Sequence, residues 1–65
     1  MLRHSFKGST AIASLLYDEE REVLQVTFAN GRSYTLDNVP RNTVEEFMNS
    51  DSPGRFFNTS LKGMF

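Results

Sequence analysis

The final fourteen residues, Ser52 to Phe65, constrain the fold more than any other part of the chain. They carry Phe56, Phe57, Leu61, Met64 and Phe65 within a stretch that also holds Ser52-Pro53-Gly54. Apolar surface of this size left in water costs free energy and invites aggregation, so the C-terminus must be packed on a partner element. The chain offers few other sources of stability. At 65 residues it is one small domain, and a domain of that size buries only about 60% of its unfolded surface. Small scaffolds usually recruit disulfides, a metal or a second subunit. There is no cysteine and a single histidine, His4, which excludes disulfides and a thiolate or multi-histidine zinc site. Local structure and self-association, including a homodimer, remain as the sources of extra stability.

Hydrophobic periodicity supplies the element for the C-terminus to cover. Residues 1–8 read as a lead-in ending at Gly8, with Phe6 available to the core, and residues 9–65 as the domain. Residues 10–17 fit a strand bounded by turn-forming residues. Ile12 and Leu15 are an odd number of positions apart, and a β-bulge near Ser14 would put both on one face. After a polar turn at Asp18–Arg21, Leu24, Val26 and Phe28 alternate with Val23, Gln25 and Thr27, the period of a half-buried strand. Asn30-Gly31 then predicts a two-residue type I′ hairpin turn. Tyr34 and Leu36 continue the apolar face on a third strand, opposite Ser33 and Thr35. Two short helices follow. The first begins at Asn42 as N-cap with Glu45 completing a capping box, or at Pro40. It presents Val44, Phe47 and Met48 on one face. The second starts with Ser52 as N-cap and Pro53 at its first position, with Phe57, Leu61 and one of Met64 or Phe65 inward and Gly63 as C-cap. The expected fold is α+β: a three-stranded antiparallel meander covered on one face by two short C-terminal helices, in the order β-β-β-α-α.

Charge and motif content narrow the chemistry. The net charge is −1, unlike the basic footprint of a dedicated nucleic-acid binder. Asp18, Glu19, Glu20 and Glu22 form an acidic cluster that reads as a solvated turn rather than a cation site. No apolar run reaches the roughly 20 residues needed to span a membrane, and the reading is of a soluble, cytoplasmic protein. No nucleophile has a base and an orienting third group, so no catalysis, cofactor or metal is expected. Ser52 and Gly54 lie at a helix start whose backbone N–H groups are able to bind an anion, or form an ordinary capped turn. Asn58 sits in a helix, where asparagine has modest propensity. It either hydrogen-bonds the sheet edge or the connector at residues 37–39, or makes a polar contact with a ligand or partner. Arg55, Lys62 and Arg32 are solvated cations that together would make a small basic patch. The open sheet face, with Gln25, Thr27, Ser33 and Thr35, lacks the aromatic stacking platform of sheet-based RNA readers.

Several short pieces recur in a recognisable order: Ser9-Thr10-Ala11-Ile12, Tyr17-Asp18, Val26-Thr27-Phe28, Gly31-Arg32-Ser33-Tyr34, Val39-Pro40, Ser52-Pro53-Gly54 and Phe56-Phe57-Asn58-Thr59-Ser60-Leu61-Lys62. In that order and spacing the chain resembles the KTSC domain, a family named for its place at the C-terminus of some lysyl-tRNA synthetases and also found as stand-alone bacterial and phage proteins. Three positions depart from the family pattern. Leu16 stands where glycine is common, Leu36 replaces the second tyrosine of a Tyr-x-Tyr, and Phe56 replaces the tyrosine of Tyr-Phe-Asn. The resemblance implies the fold more firmly than an activity. It is compatible with a non-enzymatic binding or adaptor module acting through protein contacts, such as a phage or bacterial accessory protein that modulates a host protein. The synthetase occurrence makes an RNA- or nucleotide-binding module, using Arg32, Arg55, Asn58 and Lys62, the alternative.

Overall fold

The computed structural model describes residues 1–63, and the expected packing of Met64 or Phe65 lies outside the described residues. One antiparallel sheet runs in the order β1-β2-β3-β4. Its strands are β1 (Leu2–Ser5), β2 (Ile12–Asp18), β3 (Val23–Phe28) and β4 (Ser33–Leu36). The helices α1 (Arg41–Met48) and α2 (Pro53–Phe56) follow, and α2 runs on into a π-helical turn, Phe57–Leu61. The α+β class and the helical cover are as expected, but the sheet has four strands rather than three. The lead-in supplies the fourth: Leu2, Arg3, His4 and Ser5 lie opposite Tyr17, Leu16, Leu15 and Ser14. Its alternation is faint because Leu2 and His4 are only half-buried. Phe6 extends the pairing through its N–H to the Ala13 carbonyl (3.0 Å) and enters the core.

The bulge required by the odd spacing is present. Ile12 pairs with Phe28 and Ser14 with Thr27, leaving Ala13 as the extra residue. Ile12, Leu15 and Tyr17 are thereby all buried. The β3–β4 connection departs from the two-residue turn. The Phe28 N–H donates to the Arg32 carbonyl (2.7 Å), enclosing Ala29, Asn30 and Gly31. Gly31 has φ of 91° while Asn30 does not enter positive φ, as a type I′ turn would require. This is a three-residue loop closed by a left-handed glycine, and the Asn30 side chain holds it by accepting from the Arg32 N–H (3.0 Å).

The first helix starts nearer the proline than the asparagine. Pro40 is its N-cap residue and its carbonyl accepts from Thr43 and Val44. Proline holds the preceding residue extended, so the chain cannot turn helical earlier. Asn42 caps nothing, and Glu45 pairs instead with Arg41 one turn back (3.2 Å). Arg41 also pairs with Glu19. The acidic cluster is a turn: the Asp18 carboxylate accepts from the Glu20 and Arg21 N–H groups.

The core is built from Ile12, Leu15, Tyr17, Leu24, Val26 and Leu36 of the sheet, covered by Val39, Val44, Phe47, Phe57 and Leu61. Phe56 stacks on Phe47 (5.5 Å between centroids), whereas Phe57 packs on Phe28 (5.1 Å). The two adjacent aromatics thus join α2 to α1 on one side and to the sheet on the other. Phe57 and Leu61 are the buried residues of the π turn. The turn closes with the Lys62 N–H on the Phe57 carbonyl (2.7 Å), five residues back, and ends at Gly63 with φ of 90°.

Tyr17 pins the connector. Its ring is buried and its hydroxyl donates to the Val39 carbonyl at 2.6 Å. Burial, then the nearby Glu22 and Glu19 carboxylates, raise its pKa above the ordinary tyrosine value of 10.0. The unfolded chain therefore loses this proton first as pH rises, and stability falls through and above that pH. Tyr17→Phe is expected to cost about 1–2 kcal/mol at neutral pH, since the carbonyl is left unpaired. It should also flatten the alkaline loss of stability above about pH 10. Urea unfolding of both proteins at pH 7 and pH 11 reads both effects.

Candidate functional site

At one end of the sheet the loop between β1 and β2 faces the start of α2. Ser9 shapes that loop: its Oγ accepts from the N–H groups of Ala11 (3.3 Å) and Ile12 (3.1 Å), turning the chain into β2. Across from it, the Ser50 Oγ accepts from the Ser52 N–H (3.1 Å) and sets the approach to α2. Pro53 occupies the first turn of α2, where a missing N–H costs nothing, and Ser52 flanks it without a side-chain cap bond.

Gly54 is where the two segments meet. A Cβ added there would stand 2.8 Å from the Ala11 Cβ. Only glycine allows this approach without displacing backbone, because a methyl group has no flexible end to move aside.

Between the segments lies an open hollow of about 510 Å³, lined by Gly8, Ser9, Thr10 and Ala11 on one side and by Asp51, Ser52, Pro53, Gly54, Arg55 and Asn58 on the other. A second hollow of about 230 Å³ adjoins it and shares Gly8, Ser9, Asp51 and Pro53. It extends toward His4 and Lys7 on the strand side and Met48 on α1. The His4 ring there lies edge-on to Phe6 (4.7 Å). The lining of the larger hollow mixes polar and apolar surface and is balanced in charge, with one acid, Asp51, and one base, Arg55.

Four of the residues singled out from the sequence, Ser52, Gly54, Arg55 and Asn58, therefore share one surface. The other two do not join them. Arg32 closes the β3–β4 loop and Lys62 ends the π turn; both are exposed and neither lines the hollow. Asn58 is exposed and not tied to the connector, where Tyr17 takes the Val39 carbonyl. Thr10 and Asp51 were not singled out. Thr10 sits inside a segment that reads as strand, and Asp51 between two helices carries no periodic signal. Gly8 and the neighbouring Ser9 were the available hint of a loop there.

Comparison with known proteins gives the arrangement a context. The structure matches the crystal structure of a KTSC domain protein from Yersinia pestis with a TM-score of 0.89 and 33% sequence identity, over 98% of this chain and 89% of that one. The family model for the KTSC domain matches residues 8–65. The chain belongs to the KTSC domain family. Relatives include an uncharacterized protein of Stutzerimonas stutzeri, 39% identical over 54 residues (83% of this chain, 76% of that protein). A protein of Tsukamurella paurometabola is 32% identical over 57 residues (88% of this chain, 85% of that one). In this KTSC domain the Ser9–Ile12 and Ser52–Asn58 segments, far apart in sequence, form the two walls of one hollow. No helix among the described residues is long and apolar enough to cross a membrane.

The contact between the walls has a measurable signature. Gly54→Ala is expected to destabilise the KTSC domain by about 1–3 kcal/mol through overpacking against Ala11. Adding Ala11→Gly should recover part of that loss, so that the double variant melts above Gly54→Ala. Thermal unfolding of the single and double variants measures the coupling.

Proposed function

We propose that this KTSC domain is a non-enzymatic binding module that acts through protein contacts, taking a polar segment of a partner protein into the hollow between Gly8–Ala11 and Asp51–Asn58. The observation that carries the reading is the convergence of those two segments on one open surface. Its volume of about 510 Å³ falls within the range of about 300–1,000 Å³ that accommodates small ligands or a few residues of peptide. Thr10 and Asn58 offer uncharged donors and acceptors suited to backbone amides. Asp51 and Arg55 provide one charge of each sign for orientation. A polyanion would favour a site rich in cations and free of acids, and Arg32 and Lys62 stand away from this lining. A small cytoplasmic accessory protein, bacterial or phage-encoded, that modulates a host protein fits this mode of action.

Arg55 and Asn58 are exposed, so truncating them should change stability by less than about 0.5 kcal/mol. The immobilised full chain is offered extract from a bacterium that carries a KTSC protein, and captured proteins are quantified by mass spectrometry. A protein retained by wild type, retained by Lys62→Ala and depleted at least about tenfold by Asn58→Ala or Arg55→Ala is the expected result, equivalent to at least about 1.4 kcal/mol of binding. Identical capture by wild type and both hollow variants overturns the reading. So does tight binding of a labelled RNA that weakens steeply with salt and depends on Arg32 and Lys62.

A further inference from the structure

Among the described residues, nothing hydrogen-bonds the outer backbone edge of β4. The Phe28 N–H bond to the Arg32 carbonyl (2.7 Å) fixes the phase of the β3–β4 ladder. With Thr27 opposite Ser33, Val26 opposite Tyr34 and Gln25 opposite Thr35, alternation turns the N–H and C=O groups of Tyr34 toward β3 and those of Ser33 and Thr35 away from it. Ser33, Tyr34 and Thr35 are all exposed. The strand carries none of the lysine, proline or bulge devices that blunt edges, and is protected only by its shortness. Tyr34 is 49% exposed although its ring leans on Phe28 (5.4 Å) and Phe57 (5.6 Å).

The charges beside this edge select its occupant. The strand is uncharged and is flanked by Arg32 before it and Asp37 after it. An antiparallel copy brings each Arg32 end beside the opposite Asp37 end. The β1 edge is the reverse case: its segment carries Arg3 and Lys7 and no acidic residue, and two-fold pairing there would gather like charges.

We infer that two copies of this chain pair antiparallel through β4, about a two-fold axis at Tyr34, joining their sheets into one. Ser33 then lies opposite the partner's Thr35, and each such pair exchanges two backbone hydrogen bonds. Tyr34 faces the partner's Tyr34 in the close, non-hydrogen-bonded position, where aromatic cross-strand pairs are favourable. Arg32 lies opposite the partner's Leu36, next to the partner's Asp37. The contact is short and belongs to the weak class of interfaces, with a dissociation constant on the order of 100 µM. Ser33, Tyr34 and Thr35 do not line the hollow, and failure of this pairing would leave the proposed partner site untouched.

Sedimentation velocity of the full chain, from about 10 µM to about 1 mM, should show a monomer–dimer equilibrium. Ser33→Lys with Thr35→Lys places like charges opposite one another and should leave only monomer. Ser33→Lys with Thr35→Glu places opposite charges in register and should restore dimer at low salt. A two-fold register centred on Ser33 would instead set the two lysines opposite one another in that variant, so the rescue argues against that register. Circular dichroism checks that each variant is folded. A wild type that stays monomeric, a double-lysine variant that still dimerises, or a folded lysine–glutamate variant that stays monomeric overturns the inference.

Discussion

One apolar sheet face has to be covered by very few helical residues, and the rest of the molecule is organised around that constraint. Helix α1 supplies Val44 and Phe47, and the segment after Pro53 supplies Phe57 and Leu61. Each fully buried side chain of this size contributes roughly 1.5–3 kcal/mol, so losing one would remove a large share of a small domain's stability. Phe57 and Leu61, four residues apart, share the inward face of this final helical turn. Phe56, next in line, reaches sideways to Phe47, and α2 is held from two directions by consecutive aromatics.

The signature residues of the KTSC domain turn out to work first as packing. Gly54 and Ala11 meet at a distance that tolerates no extra carbon, Ser9 turns the loop, and Tyr17 fastens the connector. Thr10, Arg55 and Asn58 are left exposed by this scaffold, and they are the side chains that the proposed recognition would use. Phe56, where the family resemblance led to an expected tyrosine, stacks its ring on Phe47.

Sequence periodicity exposed the parts of the fold whose partners are local. The Leu24–Phe28 alternation set β3, and the odd interval from Ile12 to Leu15 called for a bulge near Ser14, which the structure has one residue earlier, at Ala13. It did not expose β1, because a four-residue strand with half-buried Leu2 and His4 is defined by its pairing to Leu15–Tyr17 rather than by its own pattern. Asn30-Gly31 marked the hairpin but not its loop length, which depends on where Phe28 and Arg32 close the ladder. Asn42 looked like a cap, yet Pro40 and the Tyr17-anchored connector set the helix start. The site was half legible. Ser52, Gly54, Arg55 and Asn58 lie together in sequence and in space, but the opposite wall comes from a loop that only tertiary packing brings near. Arg32 and Lys62 matched by charge alone, and charge does not fix location.

The bonds that tie sheet to helices are unevenly distributed. Tyr17 to Val39, the Val39 N–H to the Glu22 carbonyl (2.9 Å), and Arg41 to Glu19 all sit at the end of the sheet where β2 turns into β3. Two non-glycine residues in left-handed conformation, Glu22 and Asn38, sharpen the bends there. The hollow opens at the other end, where the walls touch through a methyl group and a glycine. The cover is thus bonded to the sheet at the Glu22–Val39 end, whereas at the hollow its walls meet by van der Waals fit at Gly54 and Ala11.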